Sequence, residues 1–239
     1  MRIWDVNPGY LSRASLLGEH RELHGLLSII DNNKQGYRKH PESLRWLDNR
    51  PALAFRHDLI VAEFNIRGYK DNTPVNIDFE NLIYPKSFID LPHIQLDILR
   101  NKYLNKNEGR MPFPKNTQEL WAQHKYSIMA HSINDYKKIG KSLTSLKAKD
   151  KIEETYLLLQ KLLMKTPSLG AIKNTLQHMW GYVSKYSNII DINKETNIKL
   201  LYEIRRLSLE NDVVYIKNSS ALNELEPWIN YLEKVNYGS

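Results

Sequence analysis

The chain has no cysteine among its 239 residues. That excludes disulfides, thiolate metal sites and cysteine nucleophiles, and it fits an intracellular protein. No apolar run approaches the roughly 18 residues that a membrane-spanning helix requires. Asp5 interrupts the start, so a signal-peptide core is not expected either. Strand-type alternation is scarce, and only residues 213–216 read as a short strand. Arginine is scarce in one half alone. After Lys115 there are two arginines (Arg205 and Arg206) against fifteen lysines, whereas the residues up to Lys115 hold ten arginines and seven lysines.

What is present allows a substantial core. Apolar residues make up 41% of the chain, and its length fits one large domain or two small ones. The formal net charge is +7, with a pI near 9.3, which favours a polyanionic partner. Lysine is the default cation of an Asn-, Ile- and Lys-rich second half, so the arginine excess is specific to the first. Arg38, Arg45, Arg50 and Arg56, with Lys34 and Lys39, crowd residues 34–57, interleaved with Tyr37, Trp46 and Phe55. Arginine binds phosphate bidentately and stacks on bases, so this segment reads as a DNA-binding face. A surface with half-buried aromatics is the plainer alternative.

Pro8-Gly9 separates an extended arm from the first helix, which the pattern carries to about Asp31. Leu16, Leu23, Leu27 and Ile30 form its apolar stripe. At about 100° per residue, Glu22 lies roughly 120° from the stripe centre and Arg21 roughly 140° away on the other side. Both therefore point outward. Glu19 lies about 60° off centre and is expected to be structural. His20 and His24 are spaced i, i+4 as in zinc proteases, but the intervening Glu sits two residues after the first His instead of one. His20 also falls on the stripe, where a packed histidine is the common outcome. No metal is assigned. Further helices are expected over 42–49, 51–67, 94–105, 117–130, 150–165, 168–187 and 194–210. Residues 70–93 read as irregular, Gly68 as a helix stop, and 105–116 as a linker.

The opening Met1-Arg2-Ile3 and the stretch Ser15-Leu16-Leu17-Gly18-Glu19-His20-Arg21-Glu22-Leu23 together resemble the pyrimidine dimer DNA glycosylases, the phage endonuclease V family. Gly36-Tyr37-Arg38-Lys39-His40-Pro41 and Arg67-Gly68-Tyr69 are similar to stretches of the same family. The resemblance implies that the α-amino group of the first residue of the mature chain is the nucleophile and that Glu22 is the second catalytic group. Met1 falls on the nucleophile position, and the bulk of Arg2 predicts that Met1 is retained. An α-amino group titrates near about 7.7–8.0, so part of it is an uncharged nucleophile at neutral pH.

In the second half, residues 120–130, including Gln123-His124-Lys125-Tyr126, and residues 174–183, including Gln177-His178-Met179-Trp180, resemble the two signature stretches of a YbgA-like domain of unknown function. His124, Lys125 and His178 could line one pocket as acid/base or phosphate-binding groups. They could equally belong to helix packing around Trp121, Trp180 and Tyr182.

These readings combine into an all-α protein of two helical units. Residues 1–115 form an endonuclease V-like catalytic and DNA-binding domain, and 116–239 a YbgA-like helical bundle. The expected activity is a DNA repair glycosylase with abasic-site lyase activity on damaged double-stranded DNA. Met1 and Glu22 are its catalytic groups, and Arg2, Arg21, Arg38, Lys39 and Arg45 its DNA contacts. It needs no cofactor. The alternatives are a non-catalytic nucleic-acid-binding protein and a metal-dependent hydrolase built on His20 and His24.

Overall fold

A computed structural model describes residues 2–76, 82–143 and 151–237. Among them are eleven α-helices, a few short 3-10 turns and no strand. The chain divides into two compact units, Met1–Gly109 and Arg110–Ser239. The division falls inside the segment expected to be a linker, six residues before the expected boundary at 115/116.

The first unit contains α1 (Arg13–Asp31), α2 (Pro41–Trp46), α3 (Arg50–Ile66) and α4 (Pro92–Lys102). The arm before α1 belongs to the core. Ile3, Trp4, Val6, Tyr10 and Leu11 are all buried. Asn7 turns the arm by accepting the Gly9 N–H at 2.8 Å, and Ser12 caps α1 through the Ser15 N–H at 3.3 Å. Tyr103, just past α4, accepts the Ser12 N–H at 3.0 Å. Gly109 closes against this turn. A Cβ there would meet the Gly9 carbonyl oxygen at 2.3 Å, so only glycine fits the approach. α1 packs on α3, and Leu16 and Leu23 of α1 and Leu53, Phe55 and Ile60 of α3 are buried. Gly68 ends that passage with φ +71°, a left-handed residue just past α3.

The second unit contains α5 (Thr117–His131), α6 (Ile133–Leu143), α7 (Ile152–Leu163), α8 (Leu169–Trp180), α9 (Asn197–Glu210), α10 (Val214–Lys217) and α11 (Ala221–Tyr237). α5 is central and packs on α6, α7, α8 and α11. Three expectations change here. Residues 213–216, read as a strand, contribute to the short helix α10. Neither α6 nor α11 was expected. α6 is lysine-rich and carries Gly140, while α11 carries Pro227 in its interior, both signals that lower helical expectation.

Candidate active site and its surroundings

α1 carries three carboxylates, and two are spoken for. Glu19 is 2% exposed. It takes a bidentate ion pair from Arg56 at 2.8 and 2.9 Å and the Trp4 N–H at 3.0 Å. Asp31 pairs with Arg50 at 2.6 Å. Glu22 is half-buried, and among the described residues its carboxylate makes no hydrogen bond or ion pair. The Trp4 contact matters for the same reason. It fixes the arm on α1 three residues, about 4.5 Å of helix rise, before Glu22. Met1 lies outside the described residues.

The cationic residues divide into two groups. Arg21 is exposed, and among the described residues it bonds only to its own helix, through the Leu17 carbonyl at 3.3 Å. Arg38 is half-buried and Lys39 exposed, both on the turn before α2. Arg2 pairs with Asp90 at 2.6 Å and lies over the Trp4 ring at 4.5 Å. Arg45 corrects an expectation. Its side chain is 4% exposed, it pairs with Asp5 and with Glu42 at 3.1 Å, and it donates to the Ser87 carbonyl at 2.8 Å. Each of its three guanidinium nitrogens thus has an internal acceptor, and Arg45 is a clamp on the arm. Arg56 and Arg67 act likewise. Arg56 donates to the Val6 carbonyl at 2.9 Å, and Arg67 to Glu63 and the Leu11 carbonyl, each at 2.7 Å. A basic groove that was not anticipated opens beside the start of α1, with a volume near 460 Å³. Arg13, Lys102 and Lys106 line it together with Ser12 and Ser15.

Behind α1, four donors converge that the sequence reading did not join. His20 and His24 face His57 on α3 and Asp71 beyond it, with one donor atom from each residue within 4.8 Å of the others. The His20 and His24 Nε2 atoms are 3.4 Å apart, and Asp71 Oδ1 is 3.3 Å from His20 Nε2. Burial, reinforced by the neighbouring imidazoles, pushes His20 and His24 below the ordinary histidine range despite Asp71. For Asp71, burial opposes ionisation. Hydrogen bonds from the Thr73 N–H and hydroxyl, with His57 nearby, outweigh it and bring the carboxyl below its usual range. His57 could not have been linked to this cluster from spacing alone, because helix packing and not sequence brings it there.

The second unit does not assemble its three candidates. His124 is fully buried on α5, its ring 5.5 Å from Tyr156, and burial drives its imidazole down to about 3. His178 is exposed near the end of α8. Lys125 lies 4.7 Å from both the Tyr126 and Tyr215 rings, held by cation–π contacts. A neutral core histidine, an exposed histidine and a ring-stacked lysine do not share one pocket.

Residues 1–77 match the family model described as pyrimidine dimer DNA glycosylase, and residues 125–224 match that of a protein of unknown function (DUF1722). Searches of curated proteins and of solved structures gave no match.

Proposed function

We propose that the first unit is a pyrimidine dimer-type DNA glycosylase that also nicks the abasic site through a Schiff base. The observation that carries this reading is Glu22. It is the one α1 carboxylate without a partner among the described residues, and it lies within the matched segment. The arm anchored at Glu19 supports it, because only three residues separate Trp4 from the Met1 amine.

In this mechanism the uncharged amine attacks the sugar C1′. The C1′–N bond to the base breaks, and the base departs with the electron pair and a proton. Glu22, as carboxylate, stabilises the positive charge developing on the sugar. It then passes a proton from the amine nitrogen to O4′ as the C1′–O4′ bond of the resulting aminal breaks, which opens the sugar ring and leaves the imine. Loss of a C2′ proton from that imine expels the 3′ phosphate and cuts the strand. Reaching C1′ in a duplex requires distorting the DNA and extruding a nucleotide. Arg21, Arg38 and Lys39, with the groove of Arg13, Lys102 and Lys106, supply the phosphate contacts.

The test is borohydride trapping on abasic and ultraviolet-irradiated duplexes. The wild-type protein is expected to form a covalent adduct that maps to the peptide beginning at Met1. An uncleaved N-terminal extension converts the amine to an amide, so it should remove trapping and nicking while leaving most of the binding. Undiminished trapping by the extended protein would overturn the assignment and move the nucleophile to a lysine.

A further inference from the structure

The cluster behind α1 is independent of the base-excision reading, and it contains features that histidine packing alone does not explain. His57 is 1% exposed, yet among the described residues its Nε2 has no hydrogen-bond partner. Asp71 Oδ2 lies 3.8 Å away, beyond hydrogen-bond reach. Leaving a buried imidazole nitrogen unpaired is costly and uncommon. The three imidazole rings also face one another, with centroids 4.6 to 5.0 Å apart. Three rings gathered around one carboxylate, with their nitrogens turned inward, form the usual geometry of a ligand set around a cation.

We propose that His20, His24, His57 and Asp71 bind a divalent transition-metal ion of the zinc class. Four donors at about 2.0–2.1 Å from a tetrahedral zinc lie roughly 3.3–3.4 Å from one another. The His20–His24 and His20–Asp71 separations, 3.4 and 3.3 Å, already have that length. An N3O donor set of imidazole and carboxylate suits zinc better than calcium or magnesium, which favour oxygen. The surrounding shell is built to orient the ligands. Asp58 Oδ1 lies 3.4 Å from His57 Nδ1 and accepts that N–H, which leaves the Nε2 lone pair for the metal. Thr73 fixes Asp71 through its N–H at 3.0 Å and its hydroxyl at 3.2 Å. The same hydroxyl sits 3.0 Å from His24 Nε2, a contact that metal binding would replace.

The site ties the middle of α1 to α3 and to the chain beyond it. At about 100° per residue, Glu22 falls roughly 160–200° from His20 and His24, on the opposite side of the helix. With four protein ligands and no carboxylate from the Glu22 face, the ion is a structural clamp and not the reaction centre. It would hold rigid the helix on which Glu22 and Arg21 are displayed.

The test uses the full chain, stripped with a chelator and reloaded with cobalt(II) as an optical probe. Intense tetrahedral d–d absorption that zinc displaces is expected, together with a higher melting temperature in zinc. Asp71→Asn and His24→Gln, both outside the tightest packing, should lose the absorption and the zinc-dependent melting shift. His178→Gln, in the other unit, should keep both. Asp58→Asn should weaken the metal by about 10–100-fold, the usual cost of losing an outer partner. The proposal is overturned if the wild-type chain gives neither the absorption nor the melting shift. Absorption that survives in Asp71→Asn and His24→Gln overturns it as well.

Discussion

Glu19 and Glu22 sit nearly one turn apart on α1, and their surroundings separate their roles. Glu19 holds Arg56 and the arm in a buried pair, so neutralising it strands a buried guanidinium. Glu19→Gln is expected to cost about 3–5 kcal/mol of stability, read by denaturant unfolding. Glu22→Gln should change stability by less than about 0.5 kcal/mol yet abolish base release. Cleavage of damaged duplex by Glu22→Gln at the wild-type rate would remove Glu22 from the chemistry. The inward setting of Glu19 and the outward setting of Glu22 were legible from the helical period alone. The destinations of the arginines were not. An arginine bound for phosphate and one bound for a carbonyl of its own chain look alike in sequence, and Arg45, Arg56 and Arg67 are of the second kind.

At the scale of elements, α1 and α5 show how one helix divides its faces. α1 presents Leu16 and Leu23 to the core, the histidine pair toward α3, and Glu22 and Arg21 outward. Its apolar stripe was readable, but the partners of His20 and His24 come from outside the helix, and periodicity carries no information about them. α5 buries His124 among apolar neighbours and Tyr156, which keeps it neutral in the folded state. Its folded value near 3 lies below the ordinary 6.5, so the unfolded chain takes up this proton first as pH falls. Stability from this residue is therefore complete above about pH 6.5 and is lost progressively toward pH 3, with a slope of about 1.4 kcal/mol per pH unit. His124→Leu should flatten that part of the stability profile. An unchanged slope in denaturant titrations across this range would show that His124 is not the responsible group. Residues 213–216 carry a related lesson. A four-residue apolar run suits strand or helix equally, and here Ile216 is buried as α10 packs on α9.

Over the whole molecule, the arginine gradient has two causes where the sequence pointed to one. Arg45, Arg56 and Arg67 hold the arm and the turns after it, because a planar fork can satisfy several buried acceptors at once. Even the lysine-rich second unit uses Arg205 in this way, bonded to Glu226 at 2.5 Å and to the Leu222 carbonyl at 2.7 Å. Composition therefore overstates the charge available to a nucleic acid, and the net +7 divides between clamps and surface. This distinction has a measurable consequence. DNA affinity should fall with salt, each neutralised phosphate contributing about 0.9 to the logarithmic slope. Arg21→Ala should lower that slope by about one without loss of stability, because among the described residues its only bond is to its own helix. Arg45→Ala should instead lower the melting temperature, since it leaves the buried Asp5 and Glu42 carboxylates without this cation, and the folded fraction should keep the wild-type slope. If Arg45→Ala flattens the slope while the fold is intact, that side chain reaches DNA and its assignment as a clamp fails.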